Sequence, residues 1–214
     1  MSGPCPVIYL VDDDDSVRRA LTRLIQSAGY QVQAYDSARA FLQRDGATDQ
    51  HACLVLDMRL PDLSGLELQR ELNAASPALP IIFISGYGDI PMTVSALRAG
   101  ASDFLPKPVE GRDLLRAIAQ ALDRAIEARE SRQEVESIRS RLGRLTPRER
   151  DVMALVVTGL LNKQIACELG TVEKTVKVHR ARVMEKMEAH SLAELVRIAD
   201  KARLTGSDLN APRR

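Results

Sequence analysis

VIYLVDDDD, residues 7–15, and LVLDMRLPDLSG, residues 54–65, decide the fold. In each, a short apolar run stops at carboxylates: residues 7–11 lead into Asp12 and Asp13, and residues 53–56 lead into Asp57. Such runs without polar alternation suit strands buried on both faces, as in a parallel sheet covered by helices. Three more runs, 32–35, 81–84 and 104–105, complete a set of five. Between them the apolar residues recur at helical spacing: Val17, Leu21, Leu24 and Ile25; Leu66, Leu68 and Leu72; Val94, Leu97 and Ala101. Gly29 and Gly100 sit where helices would end, and Pro61, Pro77 and Pro80 punctuate loops. The first half, residues 1–122, therefore reads as five βα units, an α/β domain with a parallel sheet covered by helices.

Beyond Gly111 the pattern becomes a long charged helix. Leu114, Leu115, Ile118, Leu122 and Ile126 can pack on the sheet, whereas only Val135, Ile138 and Leu142 are apolar further on, so residues 123–143 read as a solvated helical connector, with weak coiled-coil pairing between two chains as the alternative. Residues 144–214 give helix after helix. Thr146-Pro147-Arg148-Glu149 and Ser191-Leu192-Ala193-Glu194 are capping boxes, the first with Pro at the first helical position. Asn162 can cap a short helix, Gly170 supplies a tight turn, and a longer helix runs from about Glu173 to Met187. Two helices joined by a short Gly-containing turn form a helix-turn-helix.

The 214 residues are 45% apolar, 28% charged and 3% aromatic, which excludes collagen-like and low-complexity chains. No apolar run approaches the roughly 18 residues of a membrane span, and the start lacks the layout of a secretory signal, so the expected place is the cytoplasm, with no membrane partner. Cys5, Cys53 and Cys167 are too few and too scattered for a disulfide framework or a CxxC site. The net charge of +1 hides an asymmetry: residues 1–122 carry −4, 123–145 carry +1 and 146–214 carry +4. A basic second module points toward nucleic acid.

In a parallel sheet the ligand crevice lies beyond the carboxyl ends of the strands. Those ends deliver Asp12, Asp13, Asp57, Ser85 and Lys107. Three carboxylates about 5 Å apart repel by roughly 3 kcal/mol per pair at an effective dielectric near 20, which a proton or a divalent cation must relieve. Hard oxygen ligands suit Mg²⁺. A carboxylate beside such a cation, with a lysine and a hydroxyl opposite, is set up to attack phosphorus, and Asp57 is the nucleophile of choice. Asp14 and Asp15 read instead as a solvated turn and helix cap.

These stretches, with FISGYGDIPMTVSALRAGASDFLPKP (83–108) and LTPRERDVMALVVTGLLNKQIACELGTVEKTVKVHRARVMEKM (145–187), resemble a two-component response regulator of the FixJ type, within the NarL/LuxR-output family. The similarity covers about residues 5 to 202. It implies a receiver with a doubly wound, flavodoxin-like five-stranded parallel sheet in strand order 2-1-3-4-5, and a small all-α LuxR-type DNA-binding domain. It implies Asp57 as phosphoacceptor, Asp12, Asp13 and Asp57 with the Arg59 backbone carbonyl as Mg²⁺ ligands, and Ser85, Lys107 and Phe104 as the phosphate-binding and switch residues. A cis peptide before Pro108, frequent in the family, would aim Lys107 into the crevice. The implied partners are a sensor histidine kinase, promoter DNA, RNA polymerase and a second copy of the chain, with receivers pairing on the face of the fourth helix, fifth strand and fifth helix.

By helical angle, Val176, His179, Val183 and Met187 face the small domain's core, and Lys174, Lys177, Val178, Ala181 and Arg182 lie opposite. The DNA-binding set is Lys174, Thr175, Lys177, Val178, Arg180, Ala181 and Arg182. Lys177 suits a guanine edge and Val178 a thymine methyl, while Arg180 and Lys186 suit phosphates. Val172 and Ala181 depart from the family, which often places a Ser cap at the first position and, in some members, a basic reader at the second. The expected function is a phosphorylation-controlled transcription regulator, an activator and not an enzyme beyond slow self-catalysed phosphoryl transfer. A phosphohydrolase would want an acid where Arg59 stands, and a small-molecule sensor would want aromatic pocket walls in a chain that has no Trp. A regulator independent of phosphate is the third alternative.

Overall fold

The computed structural model describes residues 5–44, 51–75, 79–86 and 90–201, so Pro77 lies outside the described residues. The chain divides into two compact units, Met1–Arg129 and Glu130–Arg214.

The first unit is built on five parallel strands, β1 (Val7–Val11), β2 (Gln31–Tyr35), β3 (Ala52–Asp57), β4 (Ile81–Ser85) and β5 (Asp103–Pro106), in the order β2-β1-β3-β4-β5. Its helices are α1 (Asp15–Ser27), α2 (Ala38–Leu42), α3 (Gly65–Ala75), α4 (Ile90–Arg98) and the start of α5 (Gly111–Gly143). Alternate strand residues point to opposite faces, so one strand feeds two cores. Tyr9, Leu54, Leu56 and Phe83 pack with Phe41, Leu68 and Leu72 on one face. Ile8, Leu10, Val55, Ile82 and Ile84 pack with Leu21, Ile25, Leu114 and Ile118 on the other. β1, β3 and β4 are buried throughout, while the edge strand β2 is mostly exposed, which is why only it carries glutamines.

The second unit contains α6 (Pro147–Val157), α7 (Asn162–Glu168), α8 (Glu173–Met187) and α9 (Leu192–Lys201). Val152, Met153, Val156, Ile165, Val176, Val183, Met187 and Leu195 form its core. Ile138 and Leu142 of α5 are buried in the same core, which corrects the reading of residues 123–143 as a solvated connector throughout. Three apolar residues at i, i+3 and i+7 make a stripe too narrow to announce a partner, and the partner is supplied by helices far along the chain.

The capping box at Thr146 forms in full: Thr146 Oγ1 accepts from the Glu149 N–H, and Glu149 Oε2 accepts from the Thr146 N–H at 2.8 Å. The second box forms only half. Ser191 Oγ accepts from the Glu194 N–H, but the Glu194 carboxylate reaches the His190 N–H, one residue earlier. The N-cap of α7 falls one residue before the expected one. Leu161 is its N-cap and makes no side-chain cap bond, and Asn162 Oδ1 accepts from Arg180 at 3.0 Å instead. Gly170, at φ +61°, makes the turn between α7 and α8 that a side chain would strain.

Candidate functional site

β1 and β3 are neighbours in the sheet, so their carboxyl ends lie side by side. Asp12 follows the last residue of β1 and is fully buried, Asp57 closes β3 and is nearly so, and Asp13 is exposed. One carboxylate oxygen from each lies within 4.8 Å of the other two, a hard-oxygen set that fits a divalent cation. Lys107, just beyond β5, puts Nζ 2.8 Å from Asp12 Oδ2 and 2.5 Å from Asp57 Oδ2. Burial pushes the Asp12 carboxyl above its ordinary pKa, although Lys107 pulls the other way. Burial also opposes the Lys107 charge, but its hydrogen bonds to Asp12 and Asp57 outweigh that and hold its pKa above the usual lysine range.

The loops are tied so that these groups stay in place. Asp12 Oδ1 accepts from the Asp14 N–H at 2.9 Å, and Asp57 Oδ1 from the Arg59 N–H at 3.0 Å. Arg18 Nη1 donates to the carbonyl oxygens of Asp12 and Asp13. Asp14 caps α1 by accepting from Ser16 and Val17, as expected of that aspartate run. Gly65 passes so close under the site that a Cβ there would lie 2.8 Å from Phe83 Cε1 and 2.9 Å from the Asp57 carbonyl oxygen. Ser85 closes β4, is fully buried, and its carbonyl accepts from the Lys107 N–H at 2.6 Å. The Lys107–Pro108 peptide is cis. Phe104 of β5 pairs with Phe83 and is half-buried against the core.

In the second unit Val176, Val183 and Met187 of α8 are buried, while Lys174, Lys177, Val178, Ala181 and Arg182 are exposed on the other side. Thr175, His179 and Arg180 are half-buried between the two. Lys177 is 3.1 Å from Glu173 on the same exposed face. Val172 is the N-cap of α8 and offers no side-chain cap, as its departure from the Ser pattern implied. Lys186 is not a phosphate contact but an internal ion: its Nζ lies 2.6 Å from buried Glu149 and donates to the Arg144 carbonyl.

Two family patterns match the chain, the response regulator receiver domain over residues 8–119 and the luxR family of bacterial regulatory proteins over residues 143–199. The chain is 50% identical to Nodulation protein W of Bradyrhizobium diazoefficiens over 91% of its own length and 85% of that protein's. The chain belongs to the two-component response regulators. It is also 46% identical to the response regulator protein TmoT of Ectopseudomonas mendocina, over 91% of this chain and 88% of that one. Among solved structures, the response regulator StyR matches with a TM-score of 0.80 at 49% identity, over 92% of this chain and 99% of that one. Full-length FixJ from B. japonicum matches with a TM-score of 0.59 at 42% identity, over 93% and 98%.

This response regulator couples a receiver to a LuxR-type DNA-binding domain and regulates transcription in dependence on phosphorylation. It belongs to no classical enzyme family, and the family implies a sensor kinase and DNA as partners. Among the described residues no helix is long and apolar enough to cross a membrane. The fold brings Asp12, Asp13, Asp57 and Lys107 together, with Ser85 and Phe104 on the neighbouring strands. Sequence reading missed Arg18, Gly65 and the Glu149–Lys186 pair. Arg18 carried a signal, being the first cation after an aspartate run, whereas the tight approach at Gly65 exists only once β3 and β4 are side by side.

Proposed function

We propose that Asp57 is the phosphoacceptor, that Asp12, Asp13, Asp57 and the Arg59 backbone carbonyl hold Mg²⁺, and that Ser85, Lys107 and Phe104 convert the modification into a conformational signal. The observation that carries this reading is the Lys107 ammonium bonded to both buried carboxylates, which keeps an acceptor and the cation for its future phosphoryl group in contact. An Asp57 carboxylate oxygen attacks the phosphorus of a phosphohistidine on the sensor histidine kinase. The P–O bond forms as the P–N bond breaks, and the electron pair leaves on the imidazole nitrogen, which takes a proton. When bound, Mg²⁺ supplies positive charge against the phosphoryl oxygens. Lys107 turns from the free carboxylate to a phosphoryl oxygen, and the Ser85 hydroxyl donates to another. Phe104 follows into the space Ser85 leaves. The acyl phosphate then hydrolyses slowly on the protein itself, without turnover of any outside substrate.

Phosphorylation favours pairing of two receivers through α4, β5 and the start of α5, a reading supported by exposed Val94 and Leu97 on α4. Lys174, Thr175, Lys177, Val178, Arg180, Ala181 and Arg182 then meet promoter DNA, with Lys177 and Val178 toward base edges and Arg180 toward phosphate. Their support is the basic exposed face of α8 opposite its buried stripe. RNA polymerase is recruited from the bound dimer, and the protein acts in the cytoplasm, where the chromosome is. We divide the chain into a receiver (1–122), a connector (123–143) and an output domain (144–214) that borrows the connector's last turns.

Incubation with acetyl phosphate and Mg²⁺ tests the reading. An alkali-labile gain of about 80 Da that disappears in Asp57→Asn is expected. An unchanged mass in the wild type, or a gain that survives the substitution, overturns it.

A further inference from the structure

α8 ends in an unusual way for the helix that faces DNA. Its C-cap, Glu188, is the one non-glycine residue with positive φ among those described (φ 56°, ψ 35°). The turn satisfies part of the helix end, because the Glu188 N–H donates to Glu185 O and the Ala189 N–H to Met184 O. The last carbonyls of a helix have no partner within it and carry the negative end of its dipole. The Met187 carbonyl receives one from outside: Arg141 Nη1, on α5, donates to it at 2.7 Å. The guanidinium is mostly buried and also lies 3.5 Å from the Glu188 carboxylate. A second bond runs the opposite way, from Lys186 Nζ on α8 to the Arg144 carbonyl just past α5. Ile138, about one turn before Arg141, and Leu142, the residue after it, share a core with Val183 and Met187 of α8.

We propose that Arg141 is a positioning residue for DNA recognition: by capping the C-terminus of α8 from the end of α5, it sets the angle at which the recognition helix is presented. The proposal rests on the reading of α8 as the recognition helix. Apolar packing of Val176, Val183 and Met187 holds α8 against the core but is non-directional, so it does not by itself fix the helix end to a point. A charged donor on a single carbonyl adds a fixed point near the helix end, about which the exposed face of Lys174, Lys177, Val178 and Arg182 keeps its direction. The strained Glu188 makes the external donor matter more, since the helix end has no glycine to relax into.

The test compares the full-length wild type with Arg141→Met, which keeps the apolar stem, and Arg141→Lys, which keeps a donor, all three phosphorylated beforehand with acetyl phosphate and Mg²⁺ and brought to equal adduct content by mass. Each binds a duplex that wild type has selected from a random-sequence pool and a scrambled duplex of equal length. Measurements are made at a temperature where circular dichroism shows the output domain folded in all variants. Arg141→Met is expected to lose roughly tenfold in affinity for the selected duplex, leave the scrambled duplex unchanged, and be substantially rescued by Arg141→Lys. A merely structural arginine would lower the melting temperature without moving the ratio between the two duplexes. Should Arg141→Met fail to fold, Glu188→Gly is added to it, relieving the left-handed cap without restoring the donor. Binding of the selected duplex within about twofold of wild type, or equal losses on both duplexes, overturns the proposal. A wild type that enriches no sequence at all overturns the DNA-reading assignment of α8, and this inference with it.

Discussion

At Gly65 the site tolerates no extra atom. Gly65→Ala would push a methyl group against Phe83 and the Asp57 carbonyl, neither of which is the free end of a flexible chain. We expect it to cost about 1–3 kcal/mol in urea unfolding of the receiver and to slow formation of the phospho-adduct, because the displaced backbone is that of Asp57 itself. Asp13 makes the opposite case. It is exposed, so Asp13→Asn should leave the metal-free stability within about 0.5 kcal/mol of wild type while removing most of the rise in melting temperature that millimolar Mg²⁺ produces. Calorimetry with and without Mg²⁺ checks both halves. Asp12, Asp57 and Lys107 were legible because charged residues at the ends of apolar runs have few structural reasons to be there. Gly65 was not, because a close approach is a property of two strands and a turn, not of a residue.

Among the elements, α6 shows how a cap becomes a tertiary anchor. Glu149 closes the capping box and also holds Lys186 of α8, and it is almost wholly buried. Burial would raise its carboxyl pKa, but Lys186 and the Thr146 bonds outweigh that and hold it below the ordinary value of 4.5. A folded-state value below the unfolded one means stabilisation that is complete above about pH 5 and fades as pH falls through 4.5 toward the lower folded value. Glu149→Gln should therefore cost about 2 kcal/mol or more at pH 7, with the gap from wild type narrowing as pH falls below 4.5, as read by urea midpoints. α8 offers the reverse experiment. Val172 stands at its N-cap without a capping oxygen, so Val172→Ser should stabilise the output domain by about 1 kcal/mol in the same assay. The capping box at Thr146 was readable in full as a four-residue signal, and the one at Ser191 only in its hydroxyl half. That Glu149 is also an ion-pair partner, and that Lys186 therefore turns inward, depends on where α8 crosses α6, which no local signal contains.

Across the whole molecule, the end of α5 decides where the output domain begins. A fragment of residues 144–214 lacks Ile138, Leu142 and Arg141, whose side chains fill and cap that domain. Burying an Ile and a Leu is worth about 1.5–3 kcal/mol each, so this fragment should be less stable than one of residues 130–214 by about 3 kcal/mol or more in thermal or urea unfolding. The longer fragment is accordingly the one with which to ask whether the unphosphorylated receiver restrains DNA binding. By itself the sequence determined the five βα units, the helix-turn-helix, the acid cluster with its lysine and the basic face of α8. The units, the helix-turn-helix and the basic face follow from periodicity, caps and charge within short windows, while the acid cluster, whose members lie up to 95 positions apart, follows from the rule that parallel strands end at one common edge. Only the tertiary structure decided that the connector's last turns belong to the output core, that Lys186 serves Glu149, and that Arg141 ends the recognition helix. The two polar contacts join residues 37 and 46 positions apart, and all three depend on excluding water between surfaces that the chain brings together only on folding.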